Sequence, residues 1–312
     1  MKPLLIIISI IGNISLLTAL TPSYEDANKL YYYGDYNKSI QVAKEVLITK
    51  NDARLSILIG RNYIALGDYT NAVKYLEEAI ESAKKDNDTK LLAWAYNNLG
   101  VVYKEQKNYK KALQYYRKAL NYDEAFKEKD GMAREYNNIA NIYYIQGDIS
   151  SAMLNYRKAL QINQEINNIE GIAIAYNNLS ALQYSANNFS RALDYLSYAI
   201  KYDAQLPYKG NLADDYHNMG IIYETMKQDA NALKYYSMAL ELNEILQVDS
   251  RLIASYESLS FLYERWHDYD KAIEFRNKII EIARQNNMSR IYSDINYQKK
   301  LFEKKKTQSD NK

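Results

Sequence analysis

Apolar and polar positions along this chain follow a helical period, and the whole pattern then returns as a block. In AYNNLGVVY (residues 95–103), Tyr96, Leu99, Gly100 and Tyr103 are spaced by threes and fours. That spacing places them on one face of a 3.6-residue helix. After a break at Gln106 to Asn108, Ala112, Tyr116 and Ala119 mark the stripe of a second helix. Small residues at Gly100, Ala112 and Ala119 would let the two helices approach closely. Gly131 and Gly171, with Asn211 next in phase and Gly210 beside it, mark a second break before the next block.

The block recurs as EYNNIANIY at 135–143, AYNNLSALQ at 175–183 and DYHNMGIIY at 215–223. Ser56, Tyr96, Tyr136, Tyr176, Tyr216 and Tyr256 stand forty residues apart. A shorter copy, YYYGDYNKSI at 31–40, matches IALGDYTNAV at 64–73 with an offset of 33. Seven units are thus expected between about Ser23 and Met288. Neither helix of a unit can bury its stripe alone, so stability must come from stacking neighbouring units.

The spacing Tyr96-x2-Leu99-Gly100-x2-Tyr103 followed by Ala112-x3-Tyr116-x2-Ala119 resembles the tetratricopeptide repeat. Tyr136, Ile139, Ala140, Tyr143, Ala152, Tyr156 and Ala159 keep it, as do Tyr216, Met219, Gly220, Tyr223, Ala232, Tyr236 and Ala239. The chain departs from the usual form in its forty-residue period and in lacking the proline that closes each unit. It is in this respect similar to kinesin light chain, spindle-orientation adaptors and some bacterial peptide-sensing regulators. The resemblance implies an all-α fold, a right-handed α-solenoid of stacked helix–turn–helix repeats, and a binding scaffold rather than a catalyst.

Composition changes this picture only at the ends and in tyrosine. The 312 residues carry 40 basic and 38 acidic side chains, a balance that argues against a dedicated nucleic-acid surface. Without cysteine, disulfides, thiolate metal sites and thiol nucleophiles are excluded. Most repeat-position tyrosines among the 33 are expected in the core, hydroxyl at an edge. Residues 1–22 open with Lys2 and an uncharged run from Leu4 to Leu20, as in a secretory signal peptide or an uncleaved membrane anchor. Either reading expects an exported, extracytoplasmic protein that meets a membrane only through this segment. The remaining divisions are seven repeats at 23–290, a capping helix at 291–304 and a disordered tail at 305–312.

The face opposite the stripe holds the candidate site. With Tyr96 at zero and about 100° per residue, Trp94, Asn98, Val101 and Glu105 fall on the far side. In the family resembled, first helices line a concave groove, which these residues would therefore face. Asn98, Asn138, Asn178 and Asn218 occupy equivalent places in four successive units. A side-chain amide donates and accepts, so a column of them suits the backbone of an extended peptide. Trp94, Arg134, Asn141, Tyr144, Tyr184 and Phe261 would add side-chain selectivity. The competing reading makes the column structural or inherited by repeat duplication. Asn97, Asn137 and Asn177, beside it, are expected to bond the neighbouring repeat.

No HExxH, GxSxG, GxGxxG or phosphate-binding lysine loop occurs, and neither His217 nor His267 has the setting of a catalyst. No isolated pair of carboxylates suggests acid–base chemistry, and no enzyme, metal or cofactor is expected. The expectation is an adaptor for a protein or peptide partner. The alternatives are a sensor of a short signal peptide and a structural piece using its convex face.

Overall fold

The computed structural model describes residues 22–50 and 52–310. The segment read as signal or anchor lies outside them except for Pro22. Within the described residues there are fifteen helices and no strand, grouped in two compact units, one ending at Asp148 and the other beginning at Ile149.

The first unit holds α1 (Tyr24–Tyr32), α2 (Tyr36–Thr49), α3 (Ala53–Ala65), α4 (Tyr69–Lys85), α5 (Thr89–Glu105), α6 (Tyr109–Phe126) and α7 (Lys129–Ile145). The second holds α8 (Ile149–Glu165), α9 (Ile169–Ser185), α10 (Phe189–Asp203), α11 (Gly210–Thr225), α12 (Asp229–Leu246), α13 (Asp249–Arg265), α14 (Tyr269–Gln285) and α15 (Ser289–Asp310). Within each unit every helix packs against the next, as expected of an α-solenoid.

Turn chemistry sets the helix boundaries. A residue with positive φ stands every twenty positions, at Gly67, Asn87, Lys107, Lys127, Gly147, Asn167, Asn187, Lys227, Gln247, His267 and Asn287. The one missing step is Pro207, whose ring fixes φ near −65°. There the connection lengthens to residues 204–209. The residue after the left-handed position often caps the next helix: Asp68, Asp88, Asn108, Asn168 and Asp268 each accept from a backbone N–H three residues on, at 3.0–3.2 Å.

The second break was misplaced by the sequence reading. Gly131, Gly171 and Gly210 lie in the first turns of α7, α9 and α11, not in the breaks before them. Two of them are small for another reason. A Cβ on Gly131 would sit 2.4 Å from the carboxyl of Asp123, and one on Gly171 would sit 2.4 Å from the amide of Asn163.

Tyrosines divide into two roles. Tyr116, Tyr156 and Tyr236 are fully buried on the second helices. The rings of Tyr116 and Tyr236 cover Gly100 and Gly220, where a Cβ would meet the ring at 2.4 Å. Tyr96 and Tyr256 are also in the core, whereas Tyr103, Tyr136, Tyr143, Tyr176, Tyr216 and Tyr223 are half-buried. Several of these stack on second-helix rings, as Tyr103 does on Tyr115 (centroids 5.2 Å) and Tyr223 on Tyr235 (5.4 Å).

At the C-terminal end, α15 continues through residues 305–310, where the sequence predicts a disordered tail. Ile295 and Phe302 are buried on its packed face. Lys305 bonds Glu264 at 2.5 Å, and Lys306 pairs with Asp270. These contacts carry the helix beyond its apolar stripe. Among the described residues no helix is long and apolar enough to cross a membrane.

Candidate functional site

Polar bridges within each unit run from one first helix to the next. In the first unit Asn97 of α5 reaches Glu135 of α7. In the second, Asn177 and Tyr184 of α9 reach Asp215 and Thr225 of α11, and Arg251 of α13 reaches Asp214 of α11 at 2.7 Å. Adjacent first helices are therefore tied side by side within each unit, α5 to α7 in one and α9 to α11 to α13 in the other.

The first unit's wall carries Trp94, Asn98, Arg134, Asn138, Asn141 and Tyr144, all half-buried. Trp94 lines a cavity of about 610 Å³ with Lys50, Asp52, Arg54, Lys90 and Leu91 among its other walls. Asn98 donates one amide hydrogen to the Trp94 carbonyl of its own helix at 2.7 Å. Arg134 is engaged, with Nε 3.1 Å from Glu135 and its terminal nitrogens 3.7 and 3.9 Å from Asp130 and Asp123. Its charge is spent largely on its own unit's acids.

The second unit's wall carries Asn178, Tyr184, Asn218 and Phe261. Asn218 and Phe261 are exposed, and Asn178 and Tyr184 half-buried. Tyr184 and Asn218 meet across a cavity of about 160 Å³ completed by Asn177, Ser180, Ala181, Ile221 and Ile222. The Tyr184 hydroxyl lies 3.0 Å from Thr225 Oγ1. The cavity offers amide groups beside apolar wall, a combination that suits a peptide backbone and a small side chain.

Asn97 and Asn177, expected to bond the neighbouring repeat, both do so. Asn97 donates to both carboxylate oxygens of Glu135, at 2.8 and 2.9 Å, and Asn177 donates to Asp215.

Those bridges end on buried acids. The sequence shows no isolated carboxylate pair, yet Asp123 with Glu135 and Asp203 with Asp215 are buried, each at 3% exposure or less. The members are twelve residues apart, on either side of a turn, so only the folded hairpin joins them. Their recurrence at a spacing of eighty residues was the available signal. Burial raises the Glu135 carboxyl to about 7 against the opposing pull of Arg134, and Asp123 to about 6. Burial and mutual repulsion push the Asp203–Asp215 pair upward too.

Two further side chains stand out. His217 is half-buried with its ring 5.3 Å from Tyr236, and desolvation lowers its pKa. Arg276 takes the place held by tyrosine at 116, 156 and 236 and is fully buried. Its guanidinium lies 4.4 Å from the Phe261 ring and 5.5 Å from Phe302, with Glu257 at 3.7 Å. Within the described residues none of its nitrogens makes a hydrogen bond. Groups of three or more acidic or histidine side chains fit to hold a metal ion do not occur among the described residues.

Helical hairpins stacked within each unit define a helical-repeat scaffold. Tetratricopeptide repeat models match residues 51–125 and 211–285, and another matches 133–165, together more than half of the chain. The chain belongs to the tetratricopeptide repeat family. No curated protein matches it. Similar folds occur in BtubC (BKLC) from P. vanneervenii, at 21% identity over 69% of this chain and 90% of that one (TM-score 0.59). A Rap protein complexed with Competence and Sporulation Factor is 18% identical over 87% and 78% (TM-score 0.60). A signal transduction ATPase with numerous domains from Pyrococcus horikoshii, carrying a tetratricopeptide repeat sensor, is 16% identical over 87% of this chain but 43% of its own (TM-score 0.69).

Proposed function

We propose that this protein is a non-enzymatic interaction scaffold that binds an extended segment of another protein along the inner wall of its first helices. The observation that carries the reading is the cavity beside Asn218 and Tyr184, where exposed amide and apolar wall meet between adjacent first helices. Asn98 and Asn138 in one unit, and Asn178 and Asn218 in the other, supply amides for a bound segment's backbone. Trp94 in one unit and Phe261 in the other supply aromatic surface for its side chains. Residues 1–22 would deliver the scaffold outside the cytoplasm, a reading that mass determination of the N-terminus in an envelope fraction would check.

The likeness to a Rap protein complexed with Competence and Sporulation Factor favours a second reading, in which a short signal peptide occupies the same wall and alters the repeat stack. Both readings share one test. The protein and its Asn98→Ala/Asn138→Ala/Asn178→Ala/Asn218→Ala variant are used to capture partners from the native envelope fraction, followed by peptide mapping of what is retained. Each lost hydrogen bond should weaken binding by about 1 kcal/mol. Loss of a partner by the folded variant supports the groove, and the size of the retained species separates the two readings. Equal capture by both proteins overturns it.

A further inference from the structure

The cavity between α9 and α11 has room because a ring is missing. In other repeats a tyrosine of the second helix lies on a small residue of the first. Tyr116 covers Gly100 and Tyr236 covers Gly220, so closely that a Cβ on either glycine would meet the ring at 2.4 Å. The Tyr236 hydroxyl then reaches Glu224, one turn farther along α11. In the hairpin of α9 and α10 the two places hold Ser180 and Leu196. Leu196 is fully buried in one cluster with Met219 and Ile222 of α11, and it carries no ring into the gap. A space of about 160 Å³ remains there.

The lining decides what can enter. Ser180 and Ile222 are buried, each at 3% exposure, while Ala181 and Asn218 are exposed at the rim. None of the seven lining residues is charged. The register position of Tyr184 holds Lys104 in α5 and Glu224 in α11, so this lack of charge is particular to the place. Three polar side chains of the lining are already engaged. Ser180 donates to the Ala192 carbonyl at 2.8 Å, Asn177 donates to Asp215, and the Tyr184 hydroxyl lies 3.0 Å from Thr225 Oγ1. A charged guest would lose its hydration without meeting an opposite charge. An apolar guest is stabilised by leaving water. Size narrows the choice further, since an apolar cavity of about 150 Å³ accepts a benzene ring. At the rim, Asn218 makes no side-chain hydrogen bond among the described residues. Its amide offers a donor and an acceptor to the backbone of whatever enters.

We propose that this cavity is a specificity pocket for one uncharged, apolar side chain of about benzene size, such as leucine or phenylalanine, whose backbone Asn218 holds. The pocket rests on the scaffold reading for the source of its ligand, an extended segment of another protein, and fixes the chemistry of one position in that segment. A lysine or glutamate at that position is excluded by the uncharged lining, and an alanine leaves the space unfilled.

The test needs no partner. The intact protein, methyl-labelled at isoleucine and alanine, is titrated by NMR with the N-acetyl amides of leucine, phenylalanine, alanine and lysine. The leucine and phenylalanine amides should shift the Ala181, Ile221 and Ile222 methyl signals saturably. The alanine amide should bind at least about tenfold more weakly, and the lysine amide should leave these signals in place. Ser180→Gly with Leu196→Phe copies the glycine-and-ring arrangement of the other repeats and should abolish the shifts. Ala181→Leu, at the exposed rim, should weaken them at Ile222 and serves if the double variant does not fold. Absence of saturable shifts, equal binding of the lysine amide, or unchanged shifts in a folded variant would overturn the pocket. Asparagine-dependent capture of a partner without these shifts keeps the groove and removes the pocket. Shifts without such capture keep the pocket and remove the asparagine clamp.

Discussion

Asn97 of α5 grips both carboxylate oxygens of Glu135 of α7, at 2.8 and 2.9 Å, and both residues are buried. One mid-helix asparagine thus joins two first helices thirty-eight residues apart. Its neighbour Asn98 spends an amide hydrogen on its own helix instead. The paired asparagines of this repeat are therefore unequal in role, although the sequence writes them side by side.

That inequality sets the first prediction. Asn97→Ala leaves a buried carboxylate short of two hydrogen bonds and should destabilise the protein by about 1–3 kcal/mol. Asn98→Ala should change stability by no more than about 0.5 kcal/mol, since alanine is the better helix former. Urea unfolding of the two variants measures both values.

Glu135 sets a pH dependence. Its carboxyl is raised to about 7 in the fold, chiefly by burial, whereas an unfolded glutamate titrates near 4.3. The folded state binds the extra proton, so stability is complete below the unfolded value and falls as pH rises through the folded one. The slope should approach about 1.4 kcal/mol per pH unit for this one group. Glu135→Gln should flatten the profile between those limits in chemical denaturation at a series of pH values.

The approach of α5 to α6 rests on a missing side chain. A methyl at Gly100 would lie 2.4 Å from the Tyr116 ring, so Gly100→Ala should cost about 1–3 kcal/mol by overpacking. Ser180 and Leu196 stand at the equivalent places in the second unit. Adding Tyr116→Leu should relieve the clash, and a double-mutant cycle should show non-additive coupling of at least about 0.5 kcal/mol.

Arg276 makes the opposite case. A fully buried guanidinium without hydrogen bonds, facing Glu257 at 3.7 Å, contributes little for its desolvation. Arg276→Tyr, the residue at 116, 156 and 236, should leave stability unchanged or raise it by about 1–4 kcal/mol in thermal and urea unfolding. A large loss would mean that the arginine's stacking on Phe261 and Phe302 outweighs its burial.

The sequence by itself determined the helices, the forty-residue period and the family. These follow from local rules: apolar spacing fixes which face of each helix is buried, and the turn residues after each stripe stop it. The break at Gln106 to Asn108 matches the end of α5 at Glu105 and the start of α6 at Tyr109. The sequence also carried Asn97 and Asn177 as ties to the next repeat. Only the tertiary structure decided what they tie to. Asp123 with Glu135, and Asp203 with Asp215, look like ordinary polar positions until a hairpin folds them together away from water. The same holds for Gly131, read as a break but small because Asp123 lies against it, and for Lys305, read as tail but paired with Glu264. Periodicity records which way a side chain points from its own helix. Partners on another helix, and the burial that shifts a carboxyl's proton affinity, exist only after the helices have stacked.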